Sequence, residues 1–235
     1  MVDAVFVPGL LCTQALFAPQ IGALGAALDI SIGDHRLDDT MSGVAARVLS
    51  NAPDRFVYAG LSMGGYAGFE VMRHAPERVT ALVLLNTSAR ADTPDKTEGR
   101  QAMIALAEAE GIDAVADAHL PALLSEKHLA REDLTSTFRE MARKTGVDTY
   151  LRQQTAIMNR PDSRELLREI DVPTLVIVGA DDTLTPPDLA REMADGISGA
   201  ELVVIDDCGH LSTIERPQAV NDAIRSFLDA KGLAA

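Results

Sequence analysis

The chain has 235 residues, 47% hydrophobic and 24% charged, which suits one folded domain with its own core rather than a disordered or fibrous chain. Asp and Glu outnumber Lys and Arg by 35 to 21, a net charge of −14, so phosphate backbones are repelled and no nucleic acid partner is expected. The same balance disfavours anionic substrates, although a local field can override net charge.

Short apolar runs alternate with helical patterns along the chain. Strands are expected at Ala4–Pro8, Phe56–Gly60, Val79–Leu85, Thr174–Gly179 and Leu202–Ile205, with a weaker one at Asp29–Gly33. These runs lack polar alternation, which is how parallel strands covered on both faces read. Helices are expected at Gln14–Leu28, Met41–Asn51, Met63–Ala75, Asp188–Ala194 and from Pro217 to Gly232. Repeated β-then-α units predict an α/β fold, a doubly wound and mostly parallel sheet.

From Ala89 to Glu165 the alternation stops, and only helical patterns follow one another, with 11 of the 21 basic residues. Leu134, Phe138 and Met141 form one apolar stripe; Tyr150, Leu151, Ile157 and Met158 form another. Gly111, Pro121, Gly146 and Pro161 mark turns or helix ends. The expectation is a helical cap at 89–165 inserted into a core made of 1–88 and 166–235.

No apolar run approaches the ~20 residues that span a bilayer. The start of the chain lacks a basic signal-like region, and Cys12 and Cys208 are too few for a disulfide framework. A cytoplasmic protein without membrane insertion is expected. Both cysteines fall near the expected site, and they read as small buried hydrophobes rather than sensors.

Gly60-Leu61-Ser62-Met63-Gly64 is the most informative segment. It lies directly between a strand run and a helix run, the setting of a nucleophile elbow. A turn this tight leaves no room for side chains two residues either side of the serine, and the helix start behind it offers free N–H groups to an oxyanion. A serine hydroxyl needs a base and an orienting acid. Of five histidines, His74 falls at a helix end where it would cap carbonyls, His35 in a polar loop, and His119 and His128 in the cap. His210 alone follows the last strand, and Asp181 and Asp182 follow the strand before it. All these positions are carboxyl ends of strands, on one edge of the sheet. Asp206 and Asp207 leave the same strand as His210 and would have to fold back to reach it.

Val7-Pro8-Gly9-Leu10-Leu11, the Ser62 pentapeptide with Gly65, Gly179-Ala180-Asp181-Asp182 with Pro186, and Cys208-Gly209-His210 with Glu215-Arg216-Pro217 together resemble the α/β-hydrolase superfamily over essentially the whole length. The small capped serine esterases similar to pimeloyl-carrier-protein methyl ester carboxylesterase are the nearest match. The sequence departs from many members in carrying Pro8 before Gly9, where His-Gly is common, and Leu61 before the serine, where His is common. The resemblance implies Ser62 as nucleophile, His210 as base and Asp182 as acid, with the backbone N–H groups of Leu10 and Met63 as the oxyanion hole. It implies a small-molecule ester substrate and no cofactor or metal. Carbon–carbon, thioester or amide hydrolysis, perhydrolysis, a cofactor-free lyase reaction, and a ligand receptor with little turnover stay open as alternatives.

Overall fold

The computed structural model describes residues 1–233. Six strands form, β1 (Val2–Val7), β2 (Leu28–Ile32), β3 (Phe56–Leu61), β4 (Val79–Leu85), β5 (Thr174–Gly179) and β6 (Glu201–Ile205). They pair in the order β2-β1-β3-β4-β5-β6, and every neighbouring pair is parallel. The chain steps from β1 outward to β2, then returns past β1 to β3. That reversal opens a crevice at the carboxyl ends of β1 and β3, where α/β sheets bind ligands.

Period-2 alternation divides the central strands between two cores. Phe6, Val57, Ala59, Leu61, Val83, Leu85 and Ile177 face one side; Val5, Val7, Tyr58, Leu82, Leu84, Val176 and Val178 face the other. Helices α1 (Ala18–Leu24) and α10 (Pro217–Ala230) pack together on the first face. The second face is covered by α2 (Met41–Asn51), α3 (Met63–His74) and α8 (Pro187–Gly196), and a short α9 (Ser212–Glu215) precedes α10. Each fully buried Val, Leu or Phe contributes about 1.5–3 kcal/mol, so these inward rows hold the sheet in one register.

Between β4 and β5 run four helices, α4 (Pro94–Glu110), α5 (Ile112–Leu123), α6 (Glu132–Thr145) and α7 (Val147–Met158). Gly111 and Gly146 end α4 and α6 at φ of 84° and 75°, the left-handed backbone that glycine adopts without penalty. Pro121 lies inside α5, two residues from its end, rather than closing it. Leu134, Phe138, Met141 and Tyr150 are buried in the same cluster as the first sheet face, so this segment packs onto the core without a break.

Three further local expectations are revised. Gln14–Leu28 is not one helix: a 3-10 turn at Gln14–Phe17 leads into the short α1, and Leu28 already belongs to β2. The apolar run of β6 is an edge strand whose Leu202, Val203 and Val204 are only partly covered. His74 does not cap α3; its Nε2 bonds Ser42 Oγ at 2.9 Å. No helix among the described residues is long and apolar enough to cross a membrane.

Candidate active site

Ser62 occupies the turn between β3 and α3 with φ 54° and ψ −112°, a backbone conformation that costs a non-glycine residue about 1–3 kcal/mol. The surroundings enforce it. Ser62 N–H donates to Leu85 O at 2.9 Å, Thr87 Oγ1 donates to Ser62 O at 2.8 Å, and Tyr58 OH donates to Gly64 O at 2.6 Å. A Cβ at Gly60 would run into the Gly64 carbonyl, and one at Gly64 into the Val7 carbonyl of β1, so neither position tolerates a side chain. Ser62 is the one residue from Phe56 to Met72 that is not buried. Its Oγ has no hydrogen-bond partner among the described residues.

His210 is buried, and its Nδ1 lies 2.8 Å from Asp182 Oδ2. An ionised carboxylate only accepts, so Nδ1 carries the hydrogen and Nε2 is left with its lone pair. Asp182 also accepts from the Leu184 N–H at 2.9 Å, the Thr185 N–H at 3.0 Å, Thr185 Oγ1 at 2.8 Å and Asn86 Nδ2 at 2.9 Å. Burial by itself would raise its pKa. His210 and these donors outweigh it, and the carboxyl stays below the ordinary 3.8. Asp181 is exposed, and its N–H bonds Cys208 O. Asp206 is exposed as well, while Asp207 pairs with Lys127 and Arg216. Of the four aspartates near His210, Asp182 is the one that meets its ring.

The loop that carries His210 is anchored from three sides. Leu123 O, at the end of α5, accepts the N–H groups of His210 and Leu211 at 2.9 and 3.1 Å. Asn86 Nδ2 reaches Gly209 O at 3.1 Å from the end of β4. The buried Glu215 carboxylate accepts from Gly209 N–H at 2.8 Å and Ser125 N–H at 2.9 Å, and bonds His128 Nδ1 at 2.9 Å. The inserted helices therefore hold the histidine loop as well as lying over it.

At the end of β1, Gly9 packs directly beside Ser62, and Gly9, Leu10 and Ser62 line one cavity of about 230 Å³. The N–H groups of Leu10 and Met63 have no acceptor among the described residues. Gly9 O accepts from Cys12 N–H at 3.1 Å and lies 3.1 Å from His35 Nε2, while Leu11 N–H donates to Gln153 Oε1 of α7 at 3.2 Å. His35 is thus buried, not in an open polar loop. Burial first of all lowers its pKa to about 4, so its ring is neutral at pH 7 and donates through Nε2.

Ser62 and His210 line the same cavity, together with apolar Leu61, Met103, Phe138 and Ile157. Cys12 also lines it; burial pushes its thiol up to about 12, and burial raises Cys208 too. Neither thiol ionises at neutral pH. Met158 does not line the cavity. Among the described residues no three His, Cys, Asp or Glu side chains come together as a metal site.

A sequence profile of the alpha/beta hydrolase fold matches residues 50–217. The chain belongs to that family, and it is a hydrolase. A thermophilic esterase from Thermogutta terrifontis, determined with malate bound, superimposes with a TM-score of 0.89 at 27% identity, covering 100% of this chain and 91% of its own. An enol-lactonase from Burkholderia xenovorans LB400 gives 0.87 at 28% identity, covering 97% and 91%. In sequence, a 2-hydroxy-6-oxononadienedioate/2-hydroxy-6-oxononatrienedioate hydrolase from Klebsiella pneumoniae is 29% identical over 202 residues, 80% of this chain and 68% of that one.

Proposed function

We propose that this α/β-hydrolase cleaves carboxylic esters through an acyl-enzyme on Ser62. The reading rests on one arrangement: a buried His210–Asp182 pair whose free Nε2 opens onto the cavity that exposes Ser62. Substrate entry brings Ser62 Oγ into contact with Nε2. Oγ then bonds the acyl carbon while its proton passes to Nε2, and the carbonyl electrons move onto oxygen. That oxyanion lies between the N–H groups of Leu10 and Met63, each donor of this kind being worth ~2.7–4 kcal/mol. Collapse breaks the carbon–oxygen bond to the alcohol, which leaves with the proton held on Nε2. Water, deprotonated by the same nitrogen, then releases the acid. Asp182 holds the ring and stabilises its charged form throughout.

Residues 89–165 act in this reading as the cap that closes the acyl pocket, because Met103, Phe138 and Ile157 reach the cavity from α4, α6 and α7. The substrate is a small molecule, and buried unpaired thiols suit a cytoplasmic setting. The test is turnover of p-nitrophenyl esters with acyl chains of increasing length. Multiple turnovers that peak at one chain length, with the peak moved by Phe138→Ala, support the reading. A single stoichiometric acylation without release would make the protein a ligand receptor instead.

A further inference from the structure

The chain is strongly acidic, yet no Asp or Glu lines the cavity beside Ser62 among the described residues, whereas Lys96 and Arg100 do. They lie one turn apart on α4, with Met103 a further turn on, so a single face of that helix turns toward the cavity. Behind them stands one carboxylate. Asp92 has a fully buried side chain that accepts from Arg100 Nε at 2.6 Å and from Arg160 at 2.7 Å. Arg160 also stacks its guanidinium 4.1 Å over the ring of Tyr66, another cavity residue. Two arginines thus share one anion, and Lys96 stands on the same wall without an ion pair among the described residues. Arg100 spends one terminal nitrogen on Gln154 Oε1 at 2.9 Å, and its other terminal nitrogen has no acceptor among the described residues. Lys96 Nζ has none either.

We propose that the substrate carries an ionised carboxylate besides the ester that is cleaved, and that Lys96 and Arg100 receive it. The proposal rests on the esterase reading of Ser62 for the cleaved bond, but the cationic wall is an observation of its own. Asp92 and Gln154 fix Arg100 in place, so little ordering of its guanidinium remains to be done when the ligand arrives. Lys96 supplies a mobile point charge at an exposed position of the same wall. Partial desolvation, together with Arg160 and Arg100, holds its ammonium below the ordinary lysine value against the pull of Asp92, and an arriving carboxylate relieves that repulsion. A single carboxylate fits better than a phosphate dianion, because Lys96 and Arg100 are the only Lys or Arg side chains lining the cavity among the described residues and the remaining wall is largely apolar. Local field here opposes net charge, and the expectation against anionic substrates drawn from composition does not extend to this cavity.

Two matched ester pairs test the proposal: mono-p-nitrophenyl adipate against its methyl ester, with the anion on the acyl side, and para-acetoxybenzoate against its methyl ester, with the anion on the alcohol side. The wild type is expected to favour the anionic member of one pair in kcat/KM by about tenfold, a preference that added salt weakens. Lys96→Gln should reduce that ratio several-fold and Lys96→Glu should invert it. Arg100→Gln should act in the same direction; because Arg100 also holds Asp92, the exposed Lys96 variants decide the matter if it fails to fold. A wild type that favours the neutral member of both pairs, or a ratio unmoved by Lys96→Glu, overturns the proposal while leaving the esterase reading intact. Calorimetric titration with adipate separates the two claims further. If no ester is cleaved but adipate binds the wild type and not Lys96→Glu, the esterase reading falls and the carboxylate subsite stands. If adipate does not bind and no ester is cleaved, both fall.

Discussion

His35 Nε2 lies 3.1 Å from the carbonyl oxygen of Gly9, 26 residues earlier in the chain. In a trans peptide the carbonyl and the following N–H point in opposite directions. Turning the Gly9 carbonyl toward His35 therefore turns the Leu10 N–H away from it, toward the cavity that Leu10 lines with Ser62. His35 in this way positions a proposed oxyanion donor without touching substrate. Gln153 assists from α7, accepting the Leu11 N–H at 3.2 Å and donating to His35 O at 3.4 Å.

His35→Leu removes that donor and frees the loop. Since a full oxyanion donor is worth 10²–10³ in kcat, a misaimed one should cost about tenfold to a hundredfold, mostly in kcat with little change in KM. His35→Gln presents an N–H near the position of Nε2 and should recover most of the loss. A general fall in stability without this split, or no rescue by glutamine, would reduce His35 to packing. Steady-state kinetics with one ester on the three proteins, alongside melting curves, separates these outcomes.

Acid stability follows from the same residue. Burial is the main cause that lowers both His35 and His119 from 6.5 to about 4, so the folded state holds both rings neutral. Between about pH 6.5 and pH 4 the unfolded chain binds protons that the folded chain does not. Stability therefore falls as pH falls through this window, by about 1.4 kcal/mol per pH unit for each histidine, and the histidine contribution levels off below it. Urea midpoints measured at intervals from pH 7 to pH 4 check the slope, and His35→Gln should lessen it by about half. A flat profile across that range would mean that neither ring is held neutral.

The contrast between neighbouring aspartates gives a third test. Asp182 receives five hydrogen bonds, one of them from His210, whereas Asp181 faces solvent. Asp182→Asn places an amide beside Nδ1 and spoils the tautomer, a change that costs ~10⁴ in another serine hydrolase, so a loss on the order of 10³ or more in kcat is expected. Asp181→Asn should cost about tenfold at most, through screened field alone. Reversed outcomes would assign the role of orienting acid to Asp181.

Much of the site was legible because its parts sit where strand ends meet turn chemistry. Gly60 and Gly64 around Ser62, the Asp pair after β5 and Gly209-His210 after β6 each announce a tight turn at the same sheet edge, and the Ser-Asp-His order joins them. What escaped depends on contacts distant in sequence. His35 stands among Asp34, Arg36, Asp38 and Asp39 and reads as a solvated loop; only docking against Gly9 buries it. Asn86, which ties Asp182 to the His210 loop, follows an ordinary buried strand and carries no local signal beyond its place at a strand end. Lys96 and Arg100 belong to a helix that also carries Asp95, Glu98, Gln101, Glu108 and Glu110, so the sequence cannot tell which polar side chains face inward. The edge position of β6 was hidden for the opposite reason, since its continuous apolar run reads like a central strand.

The central claim is that Ser62 carries the acyl group, and covalent trapping tests it most directly. The protein is incubated with a fluorophosphonate, and the adduct is located by peptide mass spectrometry in the wild type, Ser62→Ala and His210→Ala. One adduct per chain on Ser62 is predicted, absent in Ser62→Ala and slowed in His210→Ala by on the order of 10³ or more. Labelling at another residue, or esterase turnover retained by Ser62→Ala, would contradict the account.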